Sequence, residues 1–585
     1  MKKLLSYFKP YKWQSLLGPF FKLLEATFEL LVPLVVGLIV DRGLGARVDG
    51  AYPFADKAYI VKMSLLLVGF GLFGFLFAVT AQYFAARTAT GVSAGIRRDL
   101  FKKVQSLSYK DVDKLGTATI LTRLTSDVDG LQSGVNLALR LFLRSPFIVF
   151  GAMITGCLID PQSIGVFALA IAVLAVVVFA VMFACMPLYK KTQADLDGLT
   201  LATRENLAGA RVIRAFCREE KEKTLFDGRN EKLTKGRKVA AAIAGITNPL
   251  TYALINGAII LLLWTGAIRV DGGRLSQGSV IALYNLMGQI LIELIKLANL
   301  IVTVTKAGAC GARISAVLQM QPSLEIDDEN FGEMEKDDLE NFVSFENVTM
   351  QYNADAEPAL ENISFAAKKG ETVGVIGGTG SGKSSLVNLI PHFYDVKSGQ
   401  VRVNGKNVRS AAAQAYLREK IAIVPQKAVL FKGTVRENLQ WGKSDATDEE
   451  LWRALKIAQA DGFVAEKGGL DAPVKQGGKN FSGGQKQRLT IARAIVRDPE
   501  ILILDDASSA LDYATDAELR KEIRALETTT FIVSQRASSV MHADKIIVLD
   551  DGQAVGVGKH EELLSSCDVY REIYLSQYDK GVEAV

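Results

Sequence analysis

Apolar residues crowd the first 310 positions and thin out afterwards. In the N-terminal half they form six runs, at roughly 15–40, 60–86, 137–159, 163–187, 241–268 and 279–303. Each is long enough to cross a bilayer as a helix, which takes about 20 predominantly apolar residues. The fourth run is the cleanest, whereas the first, third and sixth carry charges. From about residue 341 the period changes. Short β-rich runs at Phe342–Phe345, Thr372–Ile376, Ile421–Val424, Ile501–Leu504, Thr530–Val533 and Lys545–Leu549 have helical stretches between several of them. That alternation belongs to an α/β sheet. The expected fold is an α-helical six-span transmembrane domain over residues 1–315, an acidic polar linker over 316–340, and an α/β domain over 341–585.

Lys and Arg orient the spans. Arg97, Arg98, Lys102, Lys103, Lys110, Lys114 and Arg123 lie between the second and third runs. Lys190, Lys191, Arg211, Arg214, Arg218 and Lys221 lie between the fourth and fifth, while the Ile159–Gln162 connection has none. Both termini and the two basic segments are therefore expected on the cytoplasmic side of a plasma (inner) membrane. The basic segments lack proline, so the spans would continue as helices into the cytosol. Each would turn in a short helix, near Tyr109–Gly116 and near Arg211–Glu220. The opening MKKLLSYFKPYK is basic and reads as an interfacial segment leading into the first span, not as a signal peptide.

Composition narrows the functional classes. The 585 residues hold 68 Lys+Arg against 63 Asp+Glu, a net charge of +5. That balance argues against a large nucleic-acid footprint, which needs a strongly basic surface. Five single cysteines without a CxxC pair exclude a zinc ribbon and a disulfide framework. Only three histidines occur, His392, His542 and His560.

The strongest chemical signal is Gly377-Gly378-Thr379-Gly380-Ser381-Gly382-Lys383-Ser384. It follows a predicted strand and opens a predicted helix, the context a phosphate-binding loop requires. Glycines let backbone N–H groups curl around phosphate oxygens, and the helix N-terminus adds its positive dipole. Lys383 would reach the β- and γ-phosphates and Ser384 would bind Mg²⁺. Ile501–Leu504 then forms a buried strand that ends on Asp505, a second Mg²⁺ holder. ATP and Mg²⁺ are the expected cofactors.

Between these motifs lies Phe481-Ser482-Gly483-Gly484-Gln485. Here the chain resembles the ATP-binding cassette (ABC) transporters, over essentially its whole length and in exporter order. The resemblance implies a helical subdomain at about 433–487. It implies that Ser482, Gly483, Gly484 and Gln485 cap ATP held by an opposite cassette, and that Tyr352 stacks on adenine. Ser385 would join the phosphate loop in binding nucleotide. Gln426 would sense Mg²⁺ and contact the membrane domain. Ser509-Ala510-Leu511-Asp512 would cross the dimer interface. The short helices near 109–116 and 211–220 would be coupling helices.

Three positions depart from the family pattern. The residue after the Mg²⁺ aspartate, usually a glutamate that polarises the attacking water, is Asp506. Its carboxylate falls about 1–1.5 Å short, and a misplacement of that size costs about 10²-fold. The switch histidine is Gln535, which can hydrogen-bond a phosphate but cannot take up a proton. Gln476 stands where many exporters have a glutamate. The pattern resembles one half of a heterodimeric exporter. The chain's own site would be degenerate and slow. Its signature would complete the consensus site of a partner that supplies glutamate and histidine. The cargo would be an amphipathic drug, lipid or peptide. The alternatives are a homodimeric lipid flippase or multidrug exporter with a slow Asp506 site, and an ATP-gated channel or regulatory membrane subunit.

Charged residues within the spans mark a substrate path. Lys22, Glu25 and Glu29 share one helical face, as do Asn285, Gln289 and Glu293. These faces would line a central cavity, or else pair internally, Lys22 with Glu25 or Glu29 and Glu293 with Lys296. Arg140 and Arg144 are expected to snorkel at the cytosolic edge.

Overall fold

The computed structural model describes residues 2–44, 56–326, 341–353 and 356–578. The later part of the expected 316–340 linker lies outside them. The chain divides into two compact units, one of Met1–Gln105 with Thr117–Met320, the other of Ser106–Gly116 with Gln321–Val585.

In the first unit, six helices among the described residues are long and apolar enough to cross a membrane: Ser6–Leu44, Lys57–Gln105, Thr117–Ile159, Pro161–Ala208, Glu219–Asp271 and Gln277–Gln319. At about 1.5 Å per residue, helices of this size run well beyond a hydrocarbon core about 30 Å thick. The apolar runs in the sequence are therefore portions of longer helices, the second to sixth of them lying within a few residues of one helix end. Their shared core includes Ala26, Leu30, Ile148, Ala152, Phe167, Leu262, Leu286 and Ile290. The first and sixth helices approach closely at two glycines, where a Cβ on Gly278 would lie 2.1 Å from the Gly37 carbonyl oxygen. Asp41 seals that contact by accepting from the Gly278 N–H at 2.7 Å.

The third helix is interrupted. One stretch runs Val128–Leu141, and a second starts at Arg144. Pro146 explains the break, because it has no N–H to return to the carbonyl of Phe142. At this break the structure corrects one expectation. Arg144 does not snorkel to an edge; it is 6% exposed. Its guanidinium lies 2.5 Å from Glu29 and 2.5 Å from Glu293, so its pull toward water is replaced by carboxylates from two other helices. The internal pairs are also present, Lys22 with Glu25 at 2.5 Å and Lys296 with Glu293 at 2.7 Å.

The second unit holds twelve strands among its described residues. In chain order they are β1 (Val343–Met350), β2 (Leu360–Ala367), β3 (Thr372–Gly377), β4 (Ser398–Val403), β5 (Lys406–Asn407) and β6 (Ile421–Val424). There follow β7 (Gly433–Thr434), β8 (Pro473–Val474), β9 (Ile501–Asp505), β10 (Thr529–Ser534), β11 (Lys545–Asp550) and β12 (Gln553–Gly558). Six form one sheet in the order β12-β11-β3-β10-β9-β6. All pairs in it are parallel except β11 with β12. An antiparallel sheet, β2-β1-β4-β5, forms separately, and β7 pairs with β8. Strands β3, β9 and β10 are buried at every residue, which is why their centres read as continuous apolar runs, not alternating ones. Together these data establish the expected class, six membrane-crossing helices followed by an α/β cassette.

Candidate functional site: a phosphate loop facing two aspartates

Strands β3, β9 and β10 are neighbours in register, so their carboxyl ends, Gly377, Asp505 and Ser534, come together. A crevice outside the carboxyl ends of parallel strands is where open α/β sheets bind ligands. The loop after β3 turns into helix Lys383–Leu389 through Gly382, at φ +93°. A Cβ there would lie 2.6 Å from the Ala359 carbonyl oxygen, so glycine is required on two counts.

Lys383 folds back over this loop, donating to the Gly377 carbonyl at 3.0 Å. Burial pushes its ammonium below the ordinary lysine range, against the opposing pull of Asp506 and Asp505. Ser384 Oγ donates to Asp505 Oδ1 at 2.8 Å. Burial pushes the Asp505 carboxyl up, partly offset by the Ser384 bond. A buried carboxylate beside a hydroxyl, with a second carboxylate adjoining, suits a divalent cation, whose charge would reverse that upward shift. The loop, Lys383, Ser384 and Asp505 thus fit a nucleotide triphosphate with Mg²⁺.

Asp506 stands at φ +47°, with its N–H donating to the Val533 carbonyl at 3.0 Å. Gln426 Nε2 lies 3.4 Å from Asp506 Oδ2. The fold thus gathers Lys383, Ser384, Asp505, Asp506 and Gln426. Tyr352 is close by, its hydroxyl 2.8 Å from Ser385 Oγ and its ring edge-on to Tyr394 at 5.1 Å.

Other expected residues lie apart from this group. Ser482 caps helix Gly483–Val496, its Oγ accepting from the Gln485 N–H while the Gln485 side chain accepts from the Ser482 N–H. Gly484 packs against Ala510, where a Cβ would lie 2.9 Å from the Ala510 carbonyl oxygen. Gln535 is exposed just past β10, its carbonyl accepting from Gln577 at 2.8 Å. Gln476 is exposed in a short 3₁₀ turn. The three histidines are engaged elsewhere. His392 bonds Asp395 at 2.8 Å and His560 bonds the Tyr570 hydroxyl at 2.7 Å. His542 lines a separate cleft with Arg520 and Arg524.

Sequence reasoning missed the loop Pro391–Asp395, which follows the phosphate-loop helix. Phe393 packs against Tyr109 with their rings tilted and 4.5 Å apart, and Tyr394 bonds Asp113 at 3.3 Å. Asp395 accepts from the Glu325 N–H at 2.9 Å. The short helix Tyr109–Leu115 is capped by Ser108 and Asp111, and Asp111 also accepts from the Ser323 N–H at 3.0 Å. Two adjacent aromatics beside a His and an Asp were the available signal.

Comparison with known proteins agrees with this geometry. Residues 15–294 match the family model of the ABC transporter transmembrane region, and residues 360–509 match the ABC transporter model. An uncharacterized ABC transporter ATP-binding protein of Bacillus subtilis is 34% identical over 99% of both chains. An ATP-dependent lipid A-core flippase of Hahella chejuensis is 31% identical over 94% of this chain and 89% of its own. A solved bacterial Atm1-family ABC exporter with ATP bound superposes with a TM-score of 0.79 at 22% identity, covering 97% of this chain and 98% of its own, a likeness of fold. With a phosphate loop, an SGGQ helix and six membrane-crossing helices in one chain, the protein belongs to the ABC transporter family.

Proposed function

We propose that this chain is one half of an ATP-driven exporter of amphipathic molecules, and that it works as a heterodimer in the plasma membrane. The observation that carries the reading is the substitution pair at the nucleotide site. Lys383, Ser384, Asp505 and Gln426 are grouped as ATP binding requires, while Asp506 and Gln535 replace the two groups that make hydrolysis fast. An Asp in place of Glu leaves the attacking water short of its base. No histidine stands at 535 to share the γ-phosphate charge.

In this mechanism ATP lies on the loop Gly377–Ser384, with its adenine on Tyr352 and Mg²⁺ held by Ser384, Asp505 and Gln426. The backbone N–H groups of the loop and the Lys383 ammonium neutralise the phosphates. Ser482, Gly483, Gly484 and Gln485 close over ATP bound to the partner. Two nucleotides clamp the cassettes together, and hydrolysis at the partner's site resets them. The coupling segments Tyr109–Leu115 and Ala210–Ala215 transmit the closure.

The likeness to a lipid A-core flippase supports lipids among the cargo classes, and it keeps a homodimeric flippase as the second reading. One experiment separates the two. The chain is purified alone and its ATP hydrolysis measured. Very slow turnover, restored when a second half-transporter with glutamate and histidine is added, supports the heterodimer. Brisk turnover of the chain alone overturns it.

A further inference from the structure

Around Arg144 the structure gathers six charged side chains from three helices. Lys22, Glu25 and Glu29 come from the first helix, Arg144 from the third, and Glu293 and Lys296 from the sixth. Three are cationic and three are carboxylates, so the cluster carries no net charge. It also lies deep. Arg144 is fifteen positions from the helix end at Ile159, about 22 Å along the axis, and Glu293 is sixteen from Gln277, about 24 Å, against a hydrocarbon core of about 30 Å.

The cluster has a closed centre and an open rim. The Arg144 and Glu293 side chains are 7% and 3% exposed, whereas those of Glu29 and Lys296 are 40% and 41% exposed. The rim therefore offers one carboxylate and one ammonium, both tied to the same Arg144–Glu293 pair. Each has capacity to spare: a carboxylate accepts about four hydrogen bonds and an ammonium donates three. Polar atoms beside the centre are buried without a hydrogen-bond partner, namely Arg144 Nε and Gln289 Oε1. Gln289 is fixed next to Glu29 by donating to its backbone carbonyl at 3.1 Å. Arg144 Nε faces the Glu25 carboxylate at 3.8 Å, beyond hydrogen-bond reach, so one acceptor and one donor can still be supplied from outside.

We infer that this cluster is a recognition site for a zwitterionic amphiphile, one that bears an ammonium and an acidic group on an apolar body. The ammonium meets Glu29 and Gln289 Oε1, and the acidic group meets Lys296 and Arg144. An electroneutral buried cluster takes such a ligand without gaining net charge. A purely cationic or anionic ligand leaves one charge uncompensated at low dielectric, which is costly. A lipid headgroup and the termini of a short apolar peptide share this chemistry. The inference rests on the export reading and names its cargo class.

The test uses the assembled transporter in proteoliposomes and nanodiscs. The lipid probes are chain-labelled phosphatidylethanolamine (zwitterionic), phosphatidylglycerol (anionic) and ethylphosphatidylcholine (cationic), with matched acyl chains. The peptide probes are an apolar tripeptide with free termini and the same peptide with both termini blocked. The expected result is that zwitterionic probes bind and move at least about tenfold better than charged or blocked ones. Whichever of the lipid and the free peptide is preferred identifies the source. E29Q should shift the preference toward the anionic probe and K296M toward the cationic one, a reciprocal change that loss of packing does not produce. The inference is overturned if the wild type prefers a singly charged probe, or if both variants keep the wild-type ranking. Selective binding in nanodiscs without ATP-driven movement keeps the site and overturns the export reading. ATP-driven movement of all probes alike does the opposite.

Discussion

The Tyr394 hydroxyl donates to Asp113 across 3.3 Å, joining the loop behind the phosphate-binding helix to the short helix Tyr109–Leu115. The same Tyr394 ring meets Tyr352 edge-on. Burial, with the Asp113 carboxylate adding to it, pushes the Tyr394 phenol up to about 12, so it stays a donor at all physiological pH. Tyr394→Phe keeps the ring and removes the bond, at a cost of about 1 kcal/mol. Hydrogen exchange over residues 109–115 should speed up several-fold, with the cassette strands unaffected. Unchanged exchange there would show that the Tyr109–Phe393 ring contact holds the helix without this bond.

On the proposed reading, slow hydrolysis at this chain's own site rests on the short side chain of Asp506 and is reversible by one substitution. Asp506→Glu restores the missing methylene at a position already pinned by the Val533 carbonyl. ATP turnover of the purified chain should rise by about one to two orders of magnitude. Adding Gln535→His should raise it further, while Lys383→Ala should abolish nucleotide binding in every background. An Asp506→Glu chain as slow as wild type would place the defect elsewhere.

Arg144 compensates three carboxylates, so its removal should cost more than that of any single partner. Arg144→Met takes one cation from the buried Glu293, which keeps Lys296, and the guanidinium from the half-exposed Glu29; breaking a buried pair costs about 3–5 kcal/mol. Thermal unfolding in detergent should drop markedly. Combining it with Glu293→Gln should recover part of the loss, since one stranded charge is then gone. Strict additivity of the two substitutions would contradict the shared network.

Asp111 carries an acid-sensitive contact. Burial pushes its carboxyl up, but the bonds from the Ser323 and Ser108 N–H groups and the serine hydroxyls win, and it lies below its ordinary value. A depressed carboxyl stabilises the folded form above its unfolded value, about 3.9, and that contribution fades as pH falls through the lower folded value. Protection of the Ser323 amide should therefore be flat from pH 7 to about 5 and decline below about pH 4. Asp111→Asn should remove the pH dependence and lower protection throughout.

Much of the architecture was legible because its causes are local. Six apolar runs report six bilayer crossings, since an unpaired backbone cannot sit in hydrocarbon. The phosphate loop was legible because its glycines, Lys383 and Ser384 are consecutive. The helical extensions beyond the apolar runs were legible too, because the basic segments that carry them lack proline. The buried Arg144 was misassigned for a non-local reason. In one dimension an arginine fifteen residues inside a span resembles a snorkelling side chain, and its three carboxylate partners are more than a hundred residues away.

What the sequence by itself determined, then, was the helical membrane half, the α/β half and the presence of the phosphate loop. Local pattern suffices where neighbours in the chain are neighbours in space. Only the tertiary structure decided that Asp505 meets Ser384, that Tyr394 reaches Asp113, and that charges from three helices converge on one guanidinium. Charge pairing depends on which side chains burial forces together. That is fixed by helix packing and strand order, which no run of consecutive residues encodes.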